Sequence, residues 1–454
     1  MGKITLQQAA LWCGGSIDPK YKDVAFLGAN NDTRKLEPGQ LFVALQGVRD
    51  GHDFIPAALE KGAAAVLCTH CDGDYPAIVV PDTRLALGDI ARGRREQIGM
   101  KVVAVTGSVG KSTTKEMIAA ALQDTYRVGK TPVNHNNDIG MPMALLAMEE
   151  DTQVAVLEMG MNHFGEIAYL TAIGKPDLAV IVNVGTMHIE NLGSREGILK
   201  AKMEIIEGMP AGGNLILNGD DDMLRSVECP SALETTYFGR DNDLCAVKAV
   251  NVRQEEDWLR FEAYCGDVTI PVELALEGEH YVHDALAAVA VALILGVEPE
   301  KIQKNLQQFR NMQGRQEIFE KNGINIIQDC YNAGPESMAA ALTVLGKKKS
   351  QRIAVLGDML ELGVRTQAEH YKVGRIAAEN ADVLLAYGPN SVRMLNGALT
   401  GGMAKKNARS FTDRDRLAEV LRQRAKPGDT VLFKGSRGMR MELILERFLG
   451  EEKE

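Results

Sequence analysis

Val102-Val103-Ala104-Val105-Thr106-Gly107-Ser108-Val109-Gly110-Lys111-Ser112-Thr113 decides the fold. An unbroken run of Val and Ala reads as a strand buried on both faces, and the helical pattern from Thr114 to Leu122 begins directly after a glycine turn. Such a strand, turn and helix start aim several backbone N–H groups and the positive end of a helix dipole at one point, which suits a phosphate. In that pattern Lys111 reaches the outer phosphates and Ser112 binds Mg²⁺. The full phosphate-loop pattern asks for glycine where this chain has Val105. A bare structural turn is the alternative, but Gly-Lys-Ser after a strand is much rarer by chance.

Outward from this stretch, apolar runs ending at Gly, Asn or Asp alternate with helical patterns, which predicts parallel sheets covered by helices. With 454 residues the chain is too long for one core, since cores stop growing at ~250–300 residues. The reading is α/β with three domains. A small domain spans 1–98, with strands near Gly39–Leu45 and Ala63–Leu67 around a helix from Phe54 to Lys61. The charged stretch Arg92–Glu96 is expected to mark its boundary. A central parallel-sheet domain over 99–312 uses Lys101–Thr106, Val154–Leu157, Leu178–Asn183 and Leu215–Asn218, then an antiparallel portion with Val247–Val252 and Val268–Leu274. A Rossmann-like domain over 313–454 uses Ile324–Asp329, Ile353–Leu356, Val383–Ala386 and Thr430–Phe433.

Further residues gather at strand ends. The strand ending at Glu158 brings a carboxylate beside the phosphate loop, a plausible Mg²⁺ ligand. The next strand leads through Gly185-Thr186-Met187 to His188. Asn134–Gly140, with Asn137, is a polar loop of a kind that is commonly a plain turn. Lys202 falls in a helix with Ile198, Leu199, Ile205 and Ile206 on its apolar face, and on pattern alone it is unremarkable.

A net charge of −10 without a basic cluster argues against nucleic acid as a partner. The longest apolar run, Ala285–Val297, is short of the ~18–20 residues that cross a bilayer, so it reads as a buried helix and membrane insertion is not expected. Seven irregularly spaced cysteines fit reduced thiols, and the N-terminal residues carry no export or myristoylation pattern, so a cytoplasmic protein is expected. Cys68-Thr69-His70-Cys71 has no second pair to complete a zinc site and reads as ordinary strand-end residues.

Taken together, Thr106–Ser112, Asn134-x-Asn136-Asn137-x-Ile139-Gly140, Glu158-Met159-Gly160, His188 with Gly193-Ser194-x-Glu196, Ala201-Lys202, Asn218-Gly219-Asp220-Asp221, Gly278-x-His280 and Gly314-Arg315 resemble the ATP-dependent Mur ligases of peptidoglycan synthesis. The resemblance spans essentially the whole chain. Three features are similar to the branch that adds D-alanyl-D-alanine to a UDP-N-acetylmuramoyl tripeptide. The stretch from Asp32-Thr33-Arg34 through Gly47 to Asp50-Gly51-His52-x-Phe54 is similar to a uridine nucleotide site. Asp329-x-Tyr331-Asn332-Ala333-Gly334-Pro335-x-Ser337-Met338 resembles the start of the third domain. Leu356-Gly357-Asp358-Met359-x-Glu361-Leu362-Gly363, with His370, resembles its next loop. Lys434-Gly435-Ser436-Arg437 agrees, and the Asp-Asn-Pro-Arg signature of the diamino-acid-adding relative is absent.

The resemblance implies a monomer that uses ATP and Mg²⁺ to form an acyl phosphate on the tripeptide, which the dipeptide amine then attacks. It implies ATP contacts from Gly107 to Thr113 and at Asn137, His280, Asp284, Arg315 and Asp329. It assigns catalysis to Lys111, Glu158, His188 and Lys202. Metal binding falls to Ser112, Glu158, His188 and Lys202, the last as a carbamate. Uridine contacts fall to Thr33, Arg34, Gly47, Asp50, Gly51 and His52, and dipeptide contacts to Tyr331, Asn332, Ser337 and Asp358. Two positions depart from the family pattern, because Asp284 and Gly334 stand where Asn is usual. The rival readings are a Mur-type ligase adding a single amino acid, and a phosphate-loop kinase or switch.

Overall fold

The computed structural model describes residues 2–255 and 257–450. Its first unit pairs β1 (Ile4–Thr5) with β2 (Ala25–Phe26) and builds a parallel sheet from β3 (Ala29–Asn30), β4 (Leu41–Val43), β5 (Ala65–Cys68) and β6 (Ala77–Val79), in that order. The helix expected from Phe54 to Lys61 is a 3₁₀ turn, Gly51–Phe54, leading into Ile55–Glu60.

The stretch Arg92–Glu96 is no linker. It lies inside the helix Thr83–Ile98, which ends at Gly99 in the left-handed conformation. Arg94 is fully buried there, its guanidinium reaching Gln97 and the Met148 carbonyl. A long aliphatic stem fills core space while its polar end finds oxygen partners, so the charge count misleads. This helix packs against Gly140–Leu146 and Glu166–Gly174 of the second unit.

The second unit holds β7 (Lys101–Thr106), β8 (Val128–Lys130), β9 (Val154–Glu158), β10 (Leu178–Ile181), β11 (Asn214–Asn218), β12 (Glu234–Gly239), β13 (Val247–Glu255), β14 (Trp258–Cys265) and β15 (Val268–Leu274). They form one nine-stranded sheet, ordered β15-β14-β13-β12-β11-β10-β7-β9-β8. It is parallel from β8 to β13 and antiparallel beyond, the mixture the sequence predicted. Along β7, Val102 and Ala104 enter one apolar cluster and Val103 and Val105 the other, which is why this strand reads as an unbroken apolar run. The helix Tyr281–Ile294 covers one face and is buried along most of its length.

The third unit orders β16 (Glu317–Lys321), β17 (Ile324–Asp329), β21 (Thr430–Lys434), β18 (Arg352–Gly357), β19 (Val383–Tyr387) and β20 (Ala408–Phe411). All neighbours pair in parallel except β16 with β17. The carboxyl ends of β7 and β9 and those of β17 and β21 contribute to the same cavity, where ligands of open α/β sheets bind.

Candidate active site

The cavity has a volume of about 470 Å³ and lies between the second and third units. Its floor is the glycine turn after β7. Gly110 adopts φ +87°, a conformation that side chains resist, and the helix Lys111–Leu122 starts at once. Asn183, just past β10, braces this turn. Its Oδ1 accepts from the N–H groups of Ser108 and Val109, at 3.0 and 2.9 Å, and its Nδ2 donates to the Val109 carbonyl. The sequence reading gave Asn183 no role. The available signal was an amide immediately beyond a buried strand next to the phosphate loop.

Lys111 folds back to donate to the Gly107 carbonyl at 2.9 Å, so its ammonium occupies the hollow of its own turn. Burial lowers its pKa; the charge of Glu158 opposes that shift and Arg315 adds to it. The Ser112 hydroxyl donates to Glu158 Oε2 at 2.7 Å, and Asn136 donates to Oε1 at 2.8 Å. Glu158 is 3 % exposed, and its own N–H donates to Thr131 Oγ1. The register that pairs Val105 with Glu158 sets this carboxylate beside the turn.

Asp284 lies under the turn and accepts from Thr114 Oγ1 at 2.7 Å. Burial pushes its carboxyl up to about 7, against the opposing effects of that hydrogen bond and of the charges of His283 and Arg315. Asn137 lines the cavity while its Oδ1 caps the helix Gly140–Leu146 by accepting from Gly140 N–H. His280 lines the cavity beside Tyr281, with ring centroids 4.1 Å apart.

The third unit closes the roof. Arg315 donates from Nη2 to Ser112 Oγ at 2.9 Å, and its guanidinium stacks 4.0 Å from the Tyr331 ring centroid. Asp329 and Lys434 are register partners on β17 and β21, and Lys434 Nζ donates to Asp329 Oδ2 at 2.5 Å. Tyr331, Asn332 and Ser337 line the cavity, as does Glu336, which the sequence reading did not name. Glu336 Oε1 accepts from both the N–H and the hydroxyl of Thr186, at 2.9 Å each, tying the two units together.

Some anticipated residues stand elsewhere. Asp358 is buried in the third unit, where its Oδ2 accepts from the backbone and side chain of Asn390, and it does not line this cavity. Lys202 is 2 % exposed and lies behind the lining. Its pKa falls well below the usual lysine value, first through burial and then through the Lys111 charge, against the pull of Asp221. His188 lines the cavity edge.

Thr33, Arg34, Gly47, Asp50, Gly51 and His52 belong to the first unit and do not line the cavity. Arg34 pairs with Asp32, and Asp50 Oδ1 accepts from His52 N–H. His52 Nε2 accepts from Thr69 N–H, so its proton resides on Nδ1, 2.6 Å from Asp50. Cys68 points inward to the Ile78 carbonyl and Cys71 to that of Gly73, as strand-end residues do. Among the described residues no three His, Cys, Asp or Glu side chains converge as a ready metal cluster.

Three family models match the chain in order. "Mur ligase family, catalytic domain" covers residues 25–95, "Mur ligase middle domain" 105–292, and "Mur ligase, glutamate ligase domain" 314–437. This chain is a Mur ligase. It is 39% identical to the UDP-N-acetylmuramoyl-tripeptide--D-alanyl-D-alanine ligase of Bacillus subtilis, over 98% of both chains. It is 35% identical to the Escherichia coli protein of that name, again over 98% of each. Among solved structures, MurF from Acinetobacter baumannii superposes with a TM-score of 0.91 at 33% identity over 99% of both chains. MurF from Thermotoga maritima in complex with ADP gives 0.83 at 31% identity, covering 94% of this Mur ligase and 97% of that chain.

Proposed function

We propose that this Mur ligase joins D-alanyl-D-alanine to a UDP-N-acetylmuramoyl tripeptide, with ATP converted to ADP and phosphate. The observation that carries the reading is the single cavity in which the phosphate turn faces Arg315, Tyr331 and Asp329 of the third unit. Full-length likeness to ligases bearing that name selects the substrates. In this reading residues 1–98 hold the uridine end, 99–312 bind ATP, and 313–454 supply the dipeptide. A cytoplasmic monomer completes the proposal; separately, the seven cysteines are free and, among the described residues, no helix is long and apolar enough to span a bilayer.

A free carboxylate does not yield its oxygen to an amine, so the oxygen first becomes a phosphate leaving group. Asn183 engages the Ser108 and Val109 N–H groups, so the amides offered to the ATP phosphates are those at the start of the helix Lys111–Leu122, and Lys111 exchanges the Gly107 carbonyl for phosphate oxygen. Charge building on the transferring group is met by groups already in place. The Ser112 hydroxyl and Glu158 carboxylate are hard oxygen donors 2.7 Å apart and fit Mg²⁺. Bound there, Mg²⁺ would neutralise phosphate charge. Burial favours the neutral Lys202 amine, the form that adds to CO₂ with loss of a proton to leave an anionic carbamate. That carbamate and His188 are the proposed holders of a second Mg²⁺. Arg315 and Tyr331 cover the reacting phosphate and exclude water from the acyl phosphate.

The test is phosphate release from Mg²⁺-ATP and the tripeptide nucleotide with D-alanyl-D-alanine, single amino acids or no amine. Release that requires the dipeptide and yields a UDP-linked pentapeptide is the expected result. Release without an amine, or with a single amino acid, sinks the substrate assignment.

A further inference from the structure

His188 and Glu361 meet across the junction of the second and third units. Nδ1 of His188 stands 2.7 Å from Oε2 of Glu361, without the alignment of a finished hydrogen bond, and no other partner reaches Nδ1 among the described residues. Both residues adopt φ +63°. Side chains rarely take this conformation, and it persists where the surroundings impose it.

Each partner is presented by a fixed support. The His188 carbonyl accepts from Asn191 and Leu192 N–H, so the residue forms the start of the short helix Ile189–Leu192. On the other side Met359 N–H donates to the buried His370 Nε2, and Leu360 N–H donates to Ser436 Oγ, which pins the two residues that lead into Glu361. Gly363 follows with φ +52°, and a Cβ there would lie 3.2 Å from Glu190 Cβ. The loop therefore seats on the helix that carries His188.

A histidine that offers one ring nitrogen to a metal commonly gives the other N–H to a carboxylate, which fixes both tautomer and ring orientation. We propose that Glu361 is the positioning residue for His188, so that the ring is locked with Nε2 free only when the third unit seats against the second. Glu361 then reports closure to the metal side of the site without touching substrate. The inference rests on the reading of His188 as a ligand given above, and not on the identity of the amine substrate.

The test compares the full-length enzyme with Glu361→Ala and Glu361→Gln, using Mn²⁺ alone as the metal probe. Paramagnetic resonance reads Mn²⁺ affinity in the ADP complex, and steady-state kinetics separate kcat from the KM for ATP. Glu361→Ala is expected to weaken Mn²⁺ binding about 10-fold or more and to lower kcat, with the KM for ATP little changed. Glu361→Gln, which keeps an acceptor for Nδ1–H, is expected to recover most of both. Wild-type Mn²⁺ affinity and kcat in Glu361→Ala overturn the proposal, and so does an equal loss in the two variants. Loss of Mn²⁺ affinity in Glu361→Ala in an enzyme that accepts a different amine upholds the inference while the substrate reading fails.

Discussion

Arg315 of the third unit donates to the Ser112 hydroxyl of the phosphate loop across 2.9 Å. The proposed Mg²⁺ donor is thus already in contact with the unit that closes over it. The guanidinium also lies over the Tyr331 ring, a contact that restrains the side chain. Arg315→Ala is expected to lower kcat by about 100-fold, the scale seen when one charge-stabilising donor is lost. Arg315→Lys restores charge without the planar stack and should recover only part. A melting temperature near wild type, measured alongside, separates this from unfolding.

Asp284 makes the phosphate loop sensitive to pH. Its carboxyl is pushed up to about 7 in the fold, against a reference value of 3.8. Between these values the folded chain holds a proton that the unfolded chain has released. Stability therefore declines as pH rises through this window, and the cost is complete above pH 7. Asp284→Asn removes an ionisation worth at most about 4 kcal/mol, while its amide oxygen still accepts from Thr114. The variant should melt higher than wild type at pH 8 and differ little near pH 4. It should also bind ATP more tightly at pH 8, because no carboxylate then faces the phosphates. Equal melting differences at both pH values would contradict the account.

Lys202 is expected to depend on dissolved CO₂. Activity of the wild type should fall in degassed, carbonate-free buffer and return on adding bicarbonate. A carbamate carbon should appear by nuclear magnetic resonance with ¹³CO₂ and be missing in Lys202→Arg. An enzyme indifferent to CO₂ would leave Lys202 as a buried neutral amine.

Two glycines with nearly the same backbone separate strain from collision. Gly110 has φ +87°, and a Cβ there would lie 2.7 Å from Asp284 Oδ1, whereas Gly39 has φ +88° with nothing within 4 Å. Both substitutions to alanine carry the left-handed cost of roughly 1–2 kcal/mol. Only Gly110→Ala should also abolish binding of a fluorescent ATP analogue.

The central sheet was legible because β7, β9, β10 and β11 are buried on both faces and so appear as continuous apolar runs. The strands that went unread are β1, β2, β3, β6, β8, β12, β14, β16 and β20. Some are short, and in β14 and β16 exposed or half-exposed positions interrupt the apolar pattern. Lys111, Ser112 and Glu158 were found because each follows a strand end by a fixed local rule. Thr186 with Glu336 and His188 with Glu361 were not, since those pairs depend on how two separately folded units face each other. Asn183 lay within the stretch read as strand, and its bracing role depends on a turn from another part of the chain.

One apolar cluster runs without interruption from Ile4 through Ala91 to Leu224, while the clusters of the third unit contain only residues from 324 onward. The first two units thus share one apolar cluster, and the third unit keeps its own. The first 98 residues and the phosphate loop belong to the same piece, held together by the buried Arg94 helix. A ligand gripped at one end by the first unit therefore meets the phosphate loop at a preset distance. In the proposed reading the scaffold acts as a caliper: a chain one residue too short falls shy of the jaw, and one too long has to buckle.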